Sequence, residues 1–307
     1  MKPIKLGTRA SKLAMWQAIE VKKMLEKVGI AVEIVKIETK GDKILTKSLA
    51  KIGSKGLFTE ELEVKLLSGE IDIVQHSAKD LQATLPEGLE IIAFTKREKT
   101  NDVLISFDEN FRLKNSKNQI VATSSTRRVA MLKRDFPAII TTDMRGNLQT
   151  RFKKLEDGVA DAMVLAYAGV HRMGYDKYIV QTLDNETFTP AVGQGAIAIE
   201  CAINLDAEIK SLIRSACNHN ETETCILAER AFLRAMNGGC SIPVFGLATL
   251  DEKSEIHLTG GIISLNGTKE IKEKLSGKNP YLLGETLGKT ILKSGGIEIL
   301  EEIRGGV

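Results

Sequence analysis

Residues 71–80 read IDIVQHSAKD, an apolar run of the buried-strand type that ends in a cluster of polar residues. Residues 119–128, QIVATSSTRR, repeat this arrangement, and Ser125 is placed to cap a helix after the strand. Strands that alternate with helices favour an α/β fold with parallel sheets. Because such sheets bind ligands beyond the carboxyl ends of their strands, the polar residues at these ends are the first candidates for a functional site.

The same alternation extends along most of the chain. The predicted strands lie at residues 4–8, 31–38, 71–77, 89–95, 119–124, 138–141, 161–166 and 195–201. Helices are predicted to begin after Ser11, Thr59, Ser125 and Asn147, and further helices at about 167–173, 206–217, 221–236 and 280–294. Residues 243–250 and 255–265 resemble an antiparallel pair. Two successive α/β units and a smaller α+β unit therefore predict three domains.

The composition excludes several classes of protein. The chain has 307 residues, of which 43% are hydrophobic and 27% charged, so it is neither disordered nor fibrous. Its net charge is only +3, from 43 basic and 40 acidic residues, so any electrostatic attraction must be local. Nine Phe, four Tyr and one Trp are too few to favour a surface built on base stacking. No apolar stretch has the length of a signal peptide or a membrane span, so we expect a cytoplasmic protein.

The four cysteines divide into two kinds. Cys201, Cys217 and Cys225 lie in apolar periodic segments and are expected to be small buried side chains. Cys240 lies in the loop-type run MNGGCSIP, where its thiol would be accessible. No CxxC pair occurs, so no metal site is predicted. From spacing alone, a functional role for Cys240 and an ordinary loop thiol are about equally well supported.

Basic residues recur at the ends of the predicted strands and the starts of the predicted helices. Arg127 and Arg128 lie in the first turn of a helix, where they oppose the macrodipole unless an anion lies between them. Arg151 projects beside the apolar seam of its helix, although a solvated charge would more often lie opposite that seam. The other basic residues at comparable positions are Arg9, Lys51, Lys55 and Lys79. Each of them alone could be a solvated surface charge, but together they indicate a cleft that binds carboxylates or phosphates.

Two further side chains follow the buried strand at 71–77. Asp80 could pair with Lys79 at the surface, or it could stabilise a cationic intermediate and move a proton. His76 could be a ligand-binding residue, although a histidine at a strand end is often a hydrogen-bonded core residue.

Eight segments occur in a characteristic order between residues 6 and 244: LGTRASKLAMWQA, GSKGLFTEELE, QHSAKDL, TSSTRR, MRGNLQTR, LAYAGVHRMG, PAVGQGAIAIEC and NGGCSIPV. Together they resemble the porphobilinogen deaminase (hydroxymethylbilane synthase) family. The resemblance implies an α/β fold with two lobes like those of type II periplasmic binding proteins, an active-site cleft between them and a small α+β C-terminal domain. The implied bounds are 1–97 with 194–215 for domain 1, 98–193 for domain 2 and 216–307 for domain 3.

The resemblance also implies a cofactor and a reaction. Cys240 matches the cysteine that holds a dipyrromethane cofactor through a thioether bond. Four porphobilinogen molecules are added in turn to this primer with loss of ammonia, and water releases hydroxymethylbilane, a tetrapyrrole of haem biosynthesis. The resemblance implies a monomer that binds neither nucleic acid nor a membrane.

The resemblance assigns roles residue by residue. Asp80 matches the catalytic carboxylate. Contacts with the cofactor or with substrate carboxylates are implied for Arg9, Ser11, Lys51, Lys55, Ser77, Lys79, Ser125, Arg127, Arg128, Arg145, Gly146, Arg151, Arg172 and Gln194. One departure is Gln82, which stands where the family often has proline and therefore relaxes the backbone after Asp80. Ala78 is also smaller than the residue expected at its position.

Two functions other than an enzyme are alternatives for this sequence. A two-lobed carboxylate- or phosphate-binding module would use the same basic residues, but it gives Cys240 no role. A nucleic-acid binder is disfavoured by the small net charge and the few aromatic residues.

Overall fold

The computed structural model describes residues 2–39, 59–115, 117–239 and 242–305. The strands, in chain order, are β1 (Ile4–Arg9), β2 (Val32–Ile37), β3 (Ile73–Ser77), β4 (Leu89–Phe94), β5 (Asp102–Ile105), β6 (Ile120–Ala122), β7 (Ile140–Thr142), β8 (Ala162–Ala166), β9 (Ile179–Thr182), β10 (Ile197–Ala202), β11 (Val244–Leu250), β12 (Ile256–Ile263) and β13 (Glu270–Gly277).

The α-helices of the described residues follow the sequence prediction in most places. They are α1 (Lys12–Glu26), α2 (Glu60–Leu67), α3 (Thr126–Asp135), α4 (Leu148–Glu156), α5 (Tyr167–Arg172), α6 (Ala207–Cys217), α7 (Asn220–Ala235), α8 (Pro280–Ile291) and α9 (Ile297–Gly305). Ser11, Ser125 and Asn147 cap their helices with side-chain hydrogen bonds, as predicted. Thr59 precedes α2 but makes no side-chain capping hydrogen bond, so this part of the prediction was wrong.

The chain divides into two compact units. Of the described residues, 2–39, 59–98 and 195–224 belong to the first unit, and 99–194 and 225–305, apart from residues 116, 240 and 241, belong to the second. Helix α7 runs across the boundary between the two sets of residues. The division into three domains stays a prediction.

Each unit contains a five-stranded sheet of the same design. The strand order is β2-β1-β3-β10-β4 in the first unit and β7-β6-β8-β5-β9 in the second. In both sheets the fourth strand is antiparallel to its two neighbours, and the remaining pairs are parallel. The predicted α/β class with two lobes is confirmed, and the prediction of parallel sheets holds for two of the four strand pairs in each sheet. Strands β5 and β9 were not predicted, because each is only four residues long and shows no alternation.

Helices cover both faces of the first sheet. Apolar residues of α1 and α6 pack on one face with Leu6, Ile73 and Ile199. Leu62 and Leu66 of α2 pack on the other face, in the same cluster as Val74. Because each such side chain contributes about 1.5–3 kcal/mol when fully buried, the helices fix the sheet from both sides.

The second unit also contains the small C-terminal sheet, in the order β11-β12-β13 with antiparallel pairing. The predicted α+β C-terminal unit is therefore confirmed. Helices α7, α8 and α9 supply much of its apolar core. A Cβ at Gly284 would lie 2.2 Å from the carbonyl oxygen of Ala228, so glycine permits the close approach of α8 to α7. None of the helices among the described residues has both the length and the apolar character that crossing a membrane requires.

Candidate functional site

In the first unit, predicted site residues meet at one edge of the sheet. β1 and β3 are parallel, so their last residues, Arg9 and Ser77, lie at the same edge. β10 runs antiparallel to β3, with Ile197 opposite Ser77, so the start of β10 lies at this edge as well. Both Arg9 and Ser77 are half-buried. The strand directions therefore place them where an α/β sheet binds ligands.

Hydrogen bonds from buried side chains fix the edge of the sheet at which Arg9 and Ser77 lie. Gln17 of α1 donates from Nε2 to Ser77 Oγ at 3.0 Å. Gln75 donates from Nε2 to Thr8 Oγ1 at 2.7 Å and to the carbonyl of Ala14 at 2.9 Å. These bonds tie the ends of β1 and β3 to the first turns of α1. Ser77 is thus held in place by Gln17, a residue that was not among the predicted site residues.

The side chain of Ser11 caps a helix in the structure. Its Oγ accepts a hydrogen bond from the backbone N–H of Ala14 at 3.3 Å and caps α1. The cap satisfies one of the free amides at the helix start, and the neighbouring amides keep the partial positive charge of that terminus.

Asp80 lies on a single turn of 3₁₀ helix formed by residues 78–80, directly after β3. The turn is anchored at its start, where the N–H of Ala78 donates to the carbonyl of Ala196 at 3.0 Å. Lys79 is half-buried and Asp80 is exposed. The sheet therefore presents the Asp80 carboxylate at the same edge as Arg9 and Ser77.

His76 belongs to the interior of the first unit. It is 6% exposed, and its Nε2 lies 2.9 Å from Oε2 of Glu200, which is fully buried. The expectation of a hydrogen-bonded core histidine is confirmed.

In the second unit, strand directions again bring separate segments to one edge. β6, β7 and β8 are parallel, so the segments that follow them begin at the same edge of the sheet. β5 is antiparallel to β8, with Asp102 opposite Ala166, so the first residue of β5 lies at this edge too. Sequence reasoning did not single out Asp102.

Asp102 is the anion that Arg127 and Arg128 require. Its Oδ2 lies 2.6 Å from Nη2 of Arg127, and its Oδ1 lies 2.7 Å from Nη2 of Arg128. Gln194 donates from Nε2 to Asp102 Oδ1 at 2.9 Å. Three predicted site residues therefore converge on one buried carboxylate.

Backbone carbonyls complete the environment of the two guanidinium groups. Nη1 of Arg127 donates to the carbonyl of Thr189 at 2.9 Å, and Nη1 of Arg128 donates to the carbonyl of Val164 at 3.1 Å. The Nε atoms of both arginines are buried and have no hydrogen-bond partner among the described residues. Arg127 and Arg128 are only 4% and 7% exposed, so most of each side chain is committed to the protein interior.

The charges of this cluster do not cancel. Burial alone would raise the pKa of Asp102, but the charges of Arg127 and Arg128 outweigh it and hold that pKa well below its ordinary value. Burial lowers the pKa of Arg127, and the charge of Asp102 opposes that shift. Arginine stays protonated in proteins, so two positive charges face one negative charge. The remaining positive charge favours an anion close to this edge of the sheet.

The segment after β7 forms a second basic cluster. Arg145 pairs with Asp143 at 3.0 Å, from Nε to Oδ2. Gly146 has a φ of +117°, and a Cβ there would lie 2.7 Å from Cγ2 of Thr150, so only glycine fits. Arg151 donates from Nε to the carbonyl of Gly146 at 2.9 Å. Both arginines therefore lie against the turn that precedes α4.

The other predicted residues of the second unit are at helix ends. Ser125 caps α3 by accepting from the N–H of Arg128 at 3.5 Å. Arg172 is the last residue of α5 and is half-buried. Lys51, Lys55 and Cys240 lie outside the described residues.

The three described cysteines, Cys201, Cys217 and Cys225, are buried, which confirms their prediction as packing residues. Burial raises the pKa of the Cys201 and Cys217 thiols to about 12 each. Neither thiol is therefore a nucleophile at neutral pH.

Two site residues escaped sequence reasoning for different reasons. Gln17 carried a weak signal, since it is a polar residue next to the apolar stripe of α1. Asp102 carried none, because its role depends on β5 running antiparallel to β8, which no local pattern reveals.

The solved structures similar to the chain match it at low sequence identity. The periplasmic VFT2 domain of BvgS from Bordetella pertussis is 18% identical, with a TM-score of 0.41, and the match covers 69% of this chain and 86% of that one. The methionine-binding protein MetQ is 17% identical, with a TM-score of 0.44, and the match covers 69% of this chain and 89% of that one.

Comparison of sequences gives much closer matches. Residues 4–211 match the family model "Porphobilinogen deaminase, dipyromethane cofactor binding domain", and residues 223–293 match "Porphobilinogen deaminase, C-terminal domain". A porphobilinogen deaminase of Cytophaga hutchinsonii is 52% identical over 100% of this chain and 98% of its own length. A porphobilinogen deaminase of Desulfosudis oleivorans is 49% identical over 98% of each chain. The chain therefore belongs to the porphobilinogen deaminase family.

Proposed function

We propose that the chain condenses four porphobilinogen molecules head to tail, with loss of one ammonia at each step, and releases hydroxymethylbilane by hydrolysis. The growing product starts from a dipyrromethane primer bound through a thioether to Cys240. As a member of its family, the chain is a transferase of tetrapyrrole and haem biosynthesis. The observation that best supports the proposal is the collection of basic residues at the carboxyl edges of the two sheets. These are the groups that a polycarboxylate substrate needs.

The residues present fit a dipyrromethane group. Such a group bears several carboxylates, and the cluster of Asp102, Arg127 and Arg128 has one positive charge more than it neutralises. The buried Nε atoms of the two arginines also leave donor capacity unused among the described residues. When bound, the dipyrromethane supplies the pyrrole carbon to which the first substrate is joined.

We propose that the basic residues bind carboxylates in two different ways. Arg127 and Arg128, held by Asp102, provide a fixed field that favours a carboxylate, since their guanidinium groups cannot turn away from this edge of the sheet. The other predicted anion-binding residues supply further contacts: Arg9, Lys51, Lys55, Lys79, Arg145, Arg151 and Arg172. Their number suits a product that gains carboxylates at every condensation.

The helix starts add donors without net charge. Ser11 and Ser125 cap α1 and α3, so the backbone amides of these first turns are ordered and carry partial positive charge. Ser77, Gly146 and Gln194 complete the set proposed to contact the cofactor or the substrate.

Asp80 is proposed as the catalytic carboxylate. Loss of ammonia from porphobilinogen places positive charge on the substrate pyrrole, and a nearby carboxylate stabilises that charge. The free α-carbon of the terminal pyrrole attacks the methylene carbon that has lost ammonia, and the same carboxylate accepts and returns the proton that this α-carbon then loses. The exposure of Asp80 on a short anchored turn supports this role, because a substrate can reach it.

We also propose a cytoplasmic monomer that acts on a small molecule, without nucleic acid or membrane. The thiols of Cys201 and Cys217 are free, which is in keeping with a reducing compartment.

Ammonia release tests the reaction. The purified chain, incubated with porphobilinogen, is expected to release one ammonia for each porphobilinogen consumed. Saturable binding of porphobilinogen without release of ammonia would overturn the proposed enzymatic function and would favour a carboxylate-binding module instead.

A further inference from the structure

Three ionisable side chains are buried together in the first unit. They are Glu63 of α2, His76 of β3 and Glu200 of β10, which are 5%, 6% and 0% exposed. His76 Nε2 and Glu200 Oε2 lie 2.9 Å apart. Burying ionisable groups costs free energy even when they are paired, so a fold that retains such a group gains something other than stability from it.

The backbone fixes the pair of His76 and Glu200. β3 and β10 are antiparallel, with His76 opposite Ala198 and Glu200 opposite Val74. The two side chains are therefore diagonal neighbours on one face of the sheet. This is the face covered by α2, since Val74 packs there with Leu62 and Leu66.

The strand that carries Glu200 also anchors the turn that carries Asp80. The N–H of Ala78 donates to the carbonyl of Ala196, one residue before β10 begins. His76 lies four residues before Asp80, so its hydrogen bond with Glu200 holds the chain as it enters this turn.

Glu63 joins the cluster to the other side of the turn. Burial raises the pKa of Glu63 and so does the charge of Glu200, whereas the charge of His76 and a hydrogen bond from Gln82 lower it. Gln82 lies two residues after Asp80 and is half-buried. Its side chain therefore connects the chain that leaves the turn to the same buried cluster.

We infer that Glu200, through His76, and Glu63, through Gln82, are positioning residues that hold the turn of Asp80 from both sides. The inference rests on the proposed function, because it takes Asp80 as the catalytic group. A carboxylate displaced by about 1 Å loses roughly 100-fold in rate, which is reason enough to retain a buried cluster behind it.

Steady-state kinetics of two variants test the inference. Glu200→Gln keeps the shape of the side chain and removes its charge, and Gln82→Leu keeps a side chain of similar bulk and removes the amide. We expect kcat for porphobilinogen consumption to fall roughly 10- to 100-fold in Glu200→Gln. A smaller fall is expected in Gln82→Leu, and KM should change less than about twofold in both, because the basic residues are untouched.

The control for Glu200→Gln is Glu90→Gln on the neighbouring strand β4, and the control for Gln82→Leu is Gln119→Leu in the second unit. We expect kcat to be unchanged in both controls. Unchanged kcat in folded Glu200→Gln or in Gln82→Leu would overturn the inference, and so would a rise in KM at constant kcat. If Glu200→Gln does not fold, Gln82→Leu decides. Failure of the proposed function is separate, since the parent chain itself would then release no ammonia.

Discussion

Asp102 and Arg127 form an ion pair of 2.6 Å inside the second unit, where the side chain of Asp102 is fully buried and that of Arg127 is 5% exposed. Arg128 shares the same carboxylate at 2.7 Å. The pairing explains how two arginines can occupy the first turn of α3 against the helix dipole. The anion that the sequence requires there is a residue of the protein itself.

Asp102→Asn tests how much this carboxylate contributes to the stability of the fold. The substitution keeps the shape and leaves two buried guanidinium groups without their counter-charge. Removing one partner of a buried pair costs about 3–5 kcal/mol, so we expect the free energy of unfolding in urea to fall by about that amount at pH 7. The control is Asp157→Asn, which removes an exposed pair with Lys153 and should leave the unfolding midpoint unchanged. Equal midpoints for Asp102→Asn and the parent would contradict the account.

The same substitution has a pH signature. The arginines hold the pKa of Asp102 well below its ordinary value, so its contribution to stability is complete above an unfolded pKa of about 3.9. That contribution is lost as the pH falls through the folded pKa. The stability difference between the parent and Asp102→Asn should therefore shrink between about pH 4 and pH 2. A difference that stays constant over this range would show that the carboxylate charge is not responsible.

Glu63→Gln is predicted to act in the opposite direction. Burial and the charge of Glu200 raise the pKa of Glu63, so the folded protein is stabilised below the unfolded pKa of about 4.3 and loses this stability as the pH rises. Glutamine has no charge to bury. We expect Glu63→Gln to unfold at a higher urea concentration than the parent at pH 8, with the advantage gone near pH 4. A variant less stable than the parent at pH 8 would contradict this.

Asp80→Asn tests the proposed catalytic group. Asp80 is exposed on its turn, so the fold and the thermal midpoint should be unchanged. The loss of a carboxylate that stabilises charge and moves a proton should lower kcat by about 100-fold or more. Glu87→Gln, an exposed carboxylate on the following loop, is the control and should retain full activity. Turnover of Asp80→Asn near the parent rate would remove Asp80 from the proposed role.

Gly146→Ala tests the turn that orders Arg145 and Arg151. The added Cβ would meet Thr150 at 2.7 Å in a left-handed backbone conformation. We expect a raised KM for porphobilinogen, because Arg151 donates to the Gly146 carbonyl and both arginines move when the turn shifts. Gly158→Ala is matched in its positive φ but has open space around it, so it carries only the backbone cost of about 1 kcal/mol. Equal KM values in the two variants would show that the turn does not order the arginines.

Local patterns predicted the strands and helices well where they repeat a period or carry a cap. Ser125 and Asn147 mark α3 and α4 because capping depends on neighbouring residues alone. The antiparallel direction of β5 and β10 could not be predicted, since it depends on which strands pair across the chain. For the same reason, the sequence indicated the anion-seeking arginines but not Asp102 as their partner.

The proposed reaction depends on a dipyrromethane bound to Cys240. The most direct measurement is denaturing mass spectrometry of the protein purified from cells that make porphobilinogen, with the modified peptide sequenced. We expect a mass above that of the bare chain, an adduct on Cys240 that reacts with Ehrlich reagent, and its absence in Cys240→Ser. Cys201 and Cys217 should carry no adduct, because their buried thiols have pKa values of about 12. A parent protein with the mass of the bare chain, or with its adduct on another residue, would contradict the account.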